Sequence, residues 1–205
     1  MTLTFASLLE MTKLFIRDPR TAATLVKAAK LPLEVSVLMI VLAGVVTGVA
    51  SGVLDAVVGN EPVVFEFADG QTATFIKSGP VVQGVYAAAL GLALGFALFQ
   101  VGTRMDGRGS LADMMGITAV LQLVLAVIVV LRTALFLLVP LLGFALMLFG
   151  AYVFLRGLGH TVKVGHEYES MGKSVGVIVV SFIAVVVLSG VLTAATGIGP
   201  VGEIK

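Results

Sequence analysis

Residues 35–58 read VSVLMIVLAGVVTGVASGVLDAVV, with a single charge, Asp55, close to the end. A helix rises about 1.5 Å per residue, so roughly 20 apolar residues cross the ~30 Å hydrocarbon layer of a bilayer. No water in that layer can hydrogen-bond the backbone, so the chain must close its own bonds, and a helix does so within one segment. Four further stretches of the same kind follow at 81–101, 111–131, 135–155 and 174–198. The reading is an all-α integral membrane protein. A five-transmembrane-helix bundle fills 35–198, preceded by an arm, 1–34, and followed by a short tail, 199–205.

Composition agrees. Hydrophobic residues are 59% of the 205 and charged residues 12%, the latter about half the usual soluble share. Mean hydropathy is +1.12. A net charge of +1 gives no footprint for nucleic acid. Cysteine is absent, which excludes disulfides, thiol nucleophiles and thiolate metal sites. The first 30 or so residues hold Lys13, Arg17, Arg20, Lys27 and Lys30 without an unbroken apolar core, so they do not read as a cleaved signal peptide.

Charge also sets direction. Besides those five cations, Arg104 and Arg108 lie between spans two and three, and Arg156, Lys163 and Lys173 between spans four and five. Ten of the 13 basic residues thus fall on one side, leaving Lys77, Arg132 and Lys205 on the other. The positive-inside rule places the amino terminus in the cytoplasm and the carboxyl terminus outside. The region 116–156 is nearly unbroken and too long for one crossing; Arg132 and Pro140 are expected to bracket its turn, with Arg132 extending its stem toward the headgroups.

Two segments outside the spans have pattern. In the arm, Phe5, Leu8, Leu9, Thr12, Phe15 and Ile16 recur at helical spacing, which predicts an amphipathic helix. Asp18-Pro19 then starts a second helix, Asp as N-cap and Pro in the first turn, ending near Lys30 before Leu31-Pro32. Residues 63–77 predict a small extracytoplasmic β-hairpin turning at Asp69-Gly70. That turn would pair Phe67 with Thr72, Phe65 with Thr74 and Val63 with Ile76.

Within the spans, small residues recur every fourth position. Gly44, Gly48 and Gly52 do so in span one; Ala87, Gly91 and Gly95 do so in span two. Such positions let helix backbones approach closely, either within the chain or across a dimer. Gly143, Gly150 and Gly157 repeat every seven along span four. Polar residues are scarce: Asp55, Gln122 and Arg132 are the candidates for a polar groove, with Gln122 the only deep one. His160, His166, Glu167 and Glu169 share the link before span five, but their spacing matches no metal motif. No nucleophile motif, phosphate loop or paired catalytic acid is present, so neither an enzyme nor a cofactor is expected.

Taken in order, Arg-Asp-Pro-Arg (17–20), Leu31-Pro32, Arg-Met-Asp-Gly-Arg-Gly-Ser-Leu-Ala-Asp (104–113) and His-Glu-Tyr-Glu-Ser-Met-Gly-Lys-Ser (166–174) resemble the bacterial branch of the Yip1 domain family, most closely its α-proteobacterial versions. The resemblance implies five spans with a cytoplasmic amino terminus, in the bacterial inner membrane. Eukaryotic relatives are associated with vesicle traffic and Rab-type GTPases through Asp-Leu-Tyr-Gly-Pro and Gly-Tyr-x-x-x-Pro signatures. This chain has neither, so no residue inherits that role. The function expected is a non-enzymatic membrane protein that packs against membrane lipids, other membrane proteins or a second copy of itself: an organiser, assembly or trafficking-like factor. The alternative is a small transporter, channel or lipid-translocating protein with a polar groove near Gln122.

Overall fold

The computed structural model describes residues 5–59, 63–66, 72–76, 78–196 and 201–204. The arm forms α1 (Phe5–Arg17) and α2 (Pro19–Ala28). The long helices are α3 (Leu33–Val58), α4 (Pro80–Arg104), α5 (Leu111–Leu138), α6 (Pro140–Gly165) and α7 (Met171–Thr196). All five are long and apolar enough to cross a membrane. Three short strands, β1 (Val63–Glu66), β2 (Thr72–Ile76) and β3 (Val201–Ile204), lie beyond the ends of α3 and α7 and before α4.

The bundle is organised around α5. In its most apolar window 67% of residues are buried, against 17–33% in the other four, so α5 is the axis and the others present one face to lipid. Its start is fixed by a capping box. The Ser110 hydroxyl accepts from the Asp113 amide and the Asp113 carboxylate accepts from the Ser110 amide, which satisfies two donors that a helix start leaves open. Asp18 caps α2 in the same way through the Thr21 amide at 3.1 Å, with Pro19 in the first turn, as the sequence predicts.

The turn between the third and fourth spans differs from expectation. Helix α5 runs straight through Arg132 to Leu138, and one residue, Val139, separates it from Pro140 at the head of α6. Proline lacks the amide that would continue α5 but suits a first helical position, so it sets the corner alone. Arg132 lies half-buried inside α5, about 9 Å from its end by helical rise. Helix α6 consequently extends to Gly165 rather than 155 and includes Arg156, His160 and Lys163, which the sequence reading had assigned to a loop.

Close backbone contact joins the helices. A Cβ on Gly44 would lie 2.7 Å from Ala88 Cβ and from the Gly84 carbonyl; one on Gly48, 2.7 Å from the Pro80 carbonyl; one on Gly52, 3.0 Å from the Pro80 ring. The span-one glycines therefore face α4 of the same chain. Their partners are Gly84 and Ala88, whereas Gly91 and Gly95 turn toward Ile40 with Gln122, and toward Met115 with Thr118. Along α6, Gly143, Gly150 and Gly157 meet Phe136, Ile128 and Leu121 of α5 in antiparallel order.

Strands β1 and β2 pair antiparallel, but Glu66 stands opposite Thr72 and Val63 opposite Phe75, one residue off the expected register. That pairing leaves an odd number of residues between the paired ends, and a two-residue turn needs an even number. Phe67 and Asp69-Gly70 lie outside the described residues. Strand β3 adds to β2, with Ile76 opposite Val201, so the carboxyl end takes part in the sheet instead of forming a free tail.

Gly48→Val is expected to lower stability in detergent by about 1–3 kcal/mol, because the new methyls collide with backbone that cannot rotate away. Gly190→Ala, whose added Cβ meets nothing within 4 Å, is expected not to lower it. Thermal melts of the two variants check the contrast.

Candidate functional site at the arm end of the bundle

The groove candidates do not come together. Gln122 is half-buried on α5 and packs on Gly91, whose added Cβ would lie 3.2 Å from its Nε2. Arg132 is ten residues further along the same helix, about 15 Å away. Asp55 is fifteen residues beyond Ile40, which meets the same Gly91, so it sits roughly 20 Å from the level of Gln122. The described cavities beside the spans are lined by other residues.

Chemistry gathers instead where the arm meets the bundle. His166 follows the last residue of α6 and is only 1% exposed. Two glycines make room for its ring: a Cβ on Gly102 or Gly107 would occupy the space of the imidazole, while one on Gly109 would strike the Gly165 carbonyl first. Its Nε2 is 3.0 Å from the Leu98 carbonyl. A carbonyl only accepts, so Nε2 carries the proton and Nδ1 holds the lone pair in the neutral ring. Nδ1 has no hydrogen-bond partner among the described residues. Tyr168 stacks on the ring, centroids 5.5 Å apart, and its hydroxyl donates to the Gly102 carbonyl at 2.7 Å.

The two links are also tied to each other. The Arg108 amide donates to the His166 carbonyl at 3.1 Å, and the Gly107 amide to the Gly102 carbonyl at 2.9 Å. Asp106 and Glu167 adopt left-handed backbone, φ 63° and 59°, which lets the chain reverse within a few residues of each helix end. Lys173 spans the outside, 3.5 Å from Asp106 and 5.9 Å from the Tyr168 ring centre. A polar cavity of about 370 Å³ lies beside the cluster, lined by Asp106, Arg108, Glu167, Glu169 and Lys173 among others.

The arm is joined to this cluster by two reciprocal contacts. A helix leaves its last carbonyls without partners and slightly negative. Lys27 of α2 donates to the carbonyls of Val164 and Gly165 at 3.2 and 3.0 Å, closing the end of α6, and pairs with Glu167 at 2.8 Å. Arg156 of α6 donates to the carbonyls of Ile16 and Arg17 at 2.8 and 3.3 Å, closing the end of α1. Phe15, Ala22, Ala23 and Val26 are buried beneath these contacts. The amphipathic arm is thus a docked part of the bundle.

The sequence reading set His166 beside His160, Glu167 and Glu169. The structure sends His160 elsewhere, on α6, while His166, Glu167 and Glu169 border one polar cavity with the His166 ring set in the glycine cradle; the described residues form no group of three that could hold a metal ion. Burial lowers the His166 pKa below the ordinary imidazole range; the Leu98 bond partly offsets this, and nearby Lys27 adds to it. The hydrogen bond and charge of Lys27 lower the Glu167 pKa. The residues missed were Lys27, Arg156, Tyr168 and the glycines at 102, 107 and 109. Their one local signal was Asp106-Gly107, a turn dipeptide placed directly after an apolar span.

Together these features define a multi-pass helical membrane protein with a polar, interlocked hub at one end. The chain belongs to the Yip1 domain family, whose sequence pattern matches residues 13–193, a range that includes the arm contacts and the whole hub. No curated protein and no solved structure matches it.

Two outcomes follow. The His166 pKa is depressed in the folded state, so the unfolded chain binds the proton more readily. The stabilisation is complete above the unfolded value, about 6.5, and is lost as pH falls through the window below it. Melting temperature in detergent is expected to drop between about pH 7.5 and 5.5, and His166→Gln is expected to flatten that drop; the Glu167 contribution is lost only in the lower, carboxylate range. Separately, Lys27→Met removes three contacts, so trypsin is expected to cut at Arg17 and Arg20 several-fold faster than in the unaltered chain, as read by time-course electrophoresis.

Proposed function

We propose that this chain is a non-enzymatic organiser of the bacterial inner membrane that works by packing against other membrane proteins or lipids. The charge asymmetry supports a cytoplasmic arm end and an extracytoplasmic sheet, with β3 and the carboxyl terminus outside. The observation that carries the reading is a cleft of about 520 Å³ between α3 and α4. Gly48, Gly84 and Ala88 line it together with Val45, Val49 and Val85, and those three valines are 54–66% exposed. Gly48 and Gly84 are taken up by the α3–α4 contact and form the buried floor, so the exposed valines provide the contact area for a guest helix or acyl chain. Inside the spans, Gln83 is engaged by Ser51 and by the Ser78 carbonyl, and Gln122 is packed on Gly91. These placements favour a packed bundle over the transport alternative.

Extraction in mild detergent is expected to yield the chain together with a membrane protein or as an oligomer, and Val45→Trp with Val85→Trp, which fills the cleft, is expected to reduce that association at least about tenfold. A chain that is monomeric and alone under every extraction condition contradicts the proposal. Flux across liposomes that is lost in Gln122→Leu would replace it with the transport reading.

A further inference from the structure

We infer that the arm roofs a binding site for one glycerophospholipid, whose acyl chain enters the bundle beneath α1 and α2 and whose phosphate pairs with Lys30. A cavity of about 460 Å³ lies between the arm, the start of α3 and the middle of α5. That is within the range of small-molecule sites, roughly 300–1,000 Å³. Of its eleven lining residues all but Ser7 are apolar, including Met11, Val26, Leu31, Met39 and Leu123. Its depth follows from helical rise. Leu123 is twelve residues into α5, so the cavity reaches roughly 18 Å past that helix start.

The roof does not settle onto the floor because it is tied down elsewhere. Arg156 holds the end of α1, and Lys27 holds α2 to the end of α6. An apolar void of this size is unfavourable when empty. It also offers water few of the two to four polar partners that a buried water needs. The medium around the chain supplies an occupant that suits it: a lipid tail.

Charge at the margin indicates the rest of the ligand. Lys30 stands between two lining residues, Ala29 and Leu31, is exposed, and is held at φ 46° by the reversal between α2 and α3. Of the acids beside other lining residues, Glu10 is engaged by Lys13 at 2.7 Å. Glu34, next to Val35, is exposed and is not among the residues that line the cavity. The inference deepens the proposed role by naming a lipid ligand. It does not depend on any protein partner, so loss of one leaves the other standing.

The test is native mass spectrometry of the full-length chain from nanodiscs, with phosphatidylglycerol and diacylglycerol of the same acyl chains supplied as probes. One phosphatidylglycerol is expected to be retained per chain, at least about tenfold over diacylglycerol. Ala29→Trp, an exposed position on the cavity wall, is expected to reduce retention at least about tenfold without unfolding the bundle, checked by its melting temperature. Lys30→Gln is expected to abolish the preference for phosphatidylglycerol over diacylglycerol while leaving the tail site. An unaltered chain that retains neither lipid, or retention indifferent to Ala29→Trp, overturns the site. A lipid preference unchanged in Lys30→Gln overturns the assignment of the phosphate.

Discussion

Lipid tails are as apolar as leucine side chains, so nothing like the hydrophobic effect of water pushes these helices together. Attraction has to come from contact at short range, and it weakens quickly when atoms are held even slightly apart. The backbone of α3 meets that of α4 where Gly44 and Gly48 lie against Gly84 and Ala88. The same device recurs between α5 and α6, where glycines seven residues apart on one helix receive Leu121, Ile128 and Phe136 of the other. Helices α3, α4 and α6 thereby position α5, and α5 buries the face that no other helix buries to the same extent.

A second constraint operates at the helix ends, where carbonyls lose their helical partners. At the arm end this need is met by side chains from elsewhere in the chain. Lys27 serves α6 and Arg156 serves α1, so each half of the structure closes a helix of the other. Tyr168 and His166 both bond to carbonyls of the last turns of α4, and the ring fits only because residues 102 and 107 lack side chains. The two linking segments, 105–110 and 166–170, are thus one interlocked object.

Much of the fold was legible because it follows from local rules. Apolar run length gave five crossing helices, Asp18-Pro19 gave the start of α2, and β-rich runs on either side of Asp69-Gly70 pointed to the strands. The glycines of span one gave a close seam, but not which helix fills it, since small-residue spacing is the same for an internal contact and a dimer. The α5–α6 corner was misplaced because Arg132 reads as an interruption, although the helix continues through it and stops only before Pro140, where the missing amide ends the ladder. The strand register depends on a loop length that turn dipeptides do not determine. The hub was not legible. It joins Lys27, the Leu98–Gly102 turn of α4 and His166, three places far apart in sequence, and their roles arise only from tertiary placement.

The central claim is that the α3 glycines are used within the chain, leaving the outer cleft open for a partner. The chain has no cysteine, so introduced pairs report without background. Gly52→Cys with Pro80→Cys places two Cβ atoms 3.1 Å apart where a Cβ on residue 52 meets no backbone, so a shift of under about 1 Å reaches disulfide geometry. Oxidation in native membranes should crosslink that pair within one chain, with no dimer from either single variant. Efficient dimer formation by Gly52→Cys alone, without an intrachain bond in the double variant, would contradict the account.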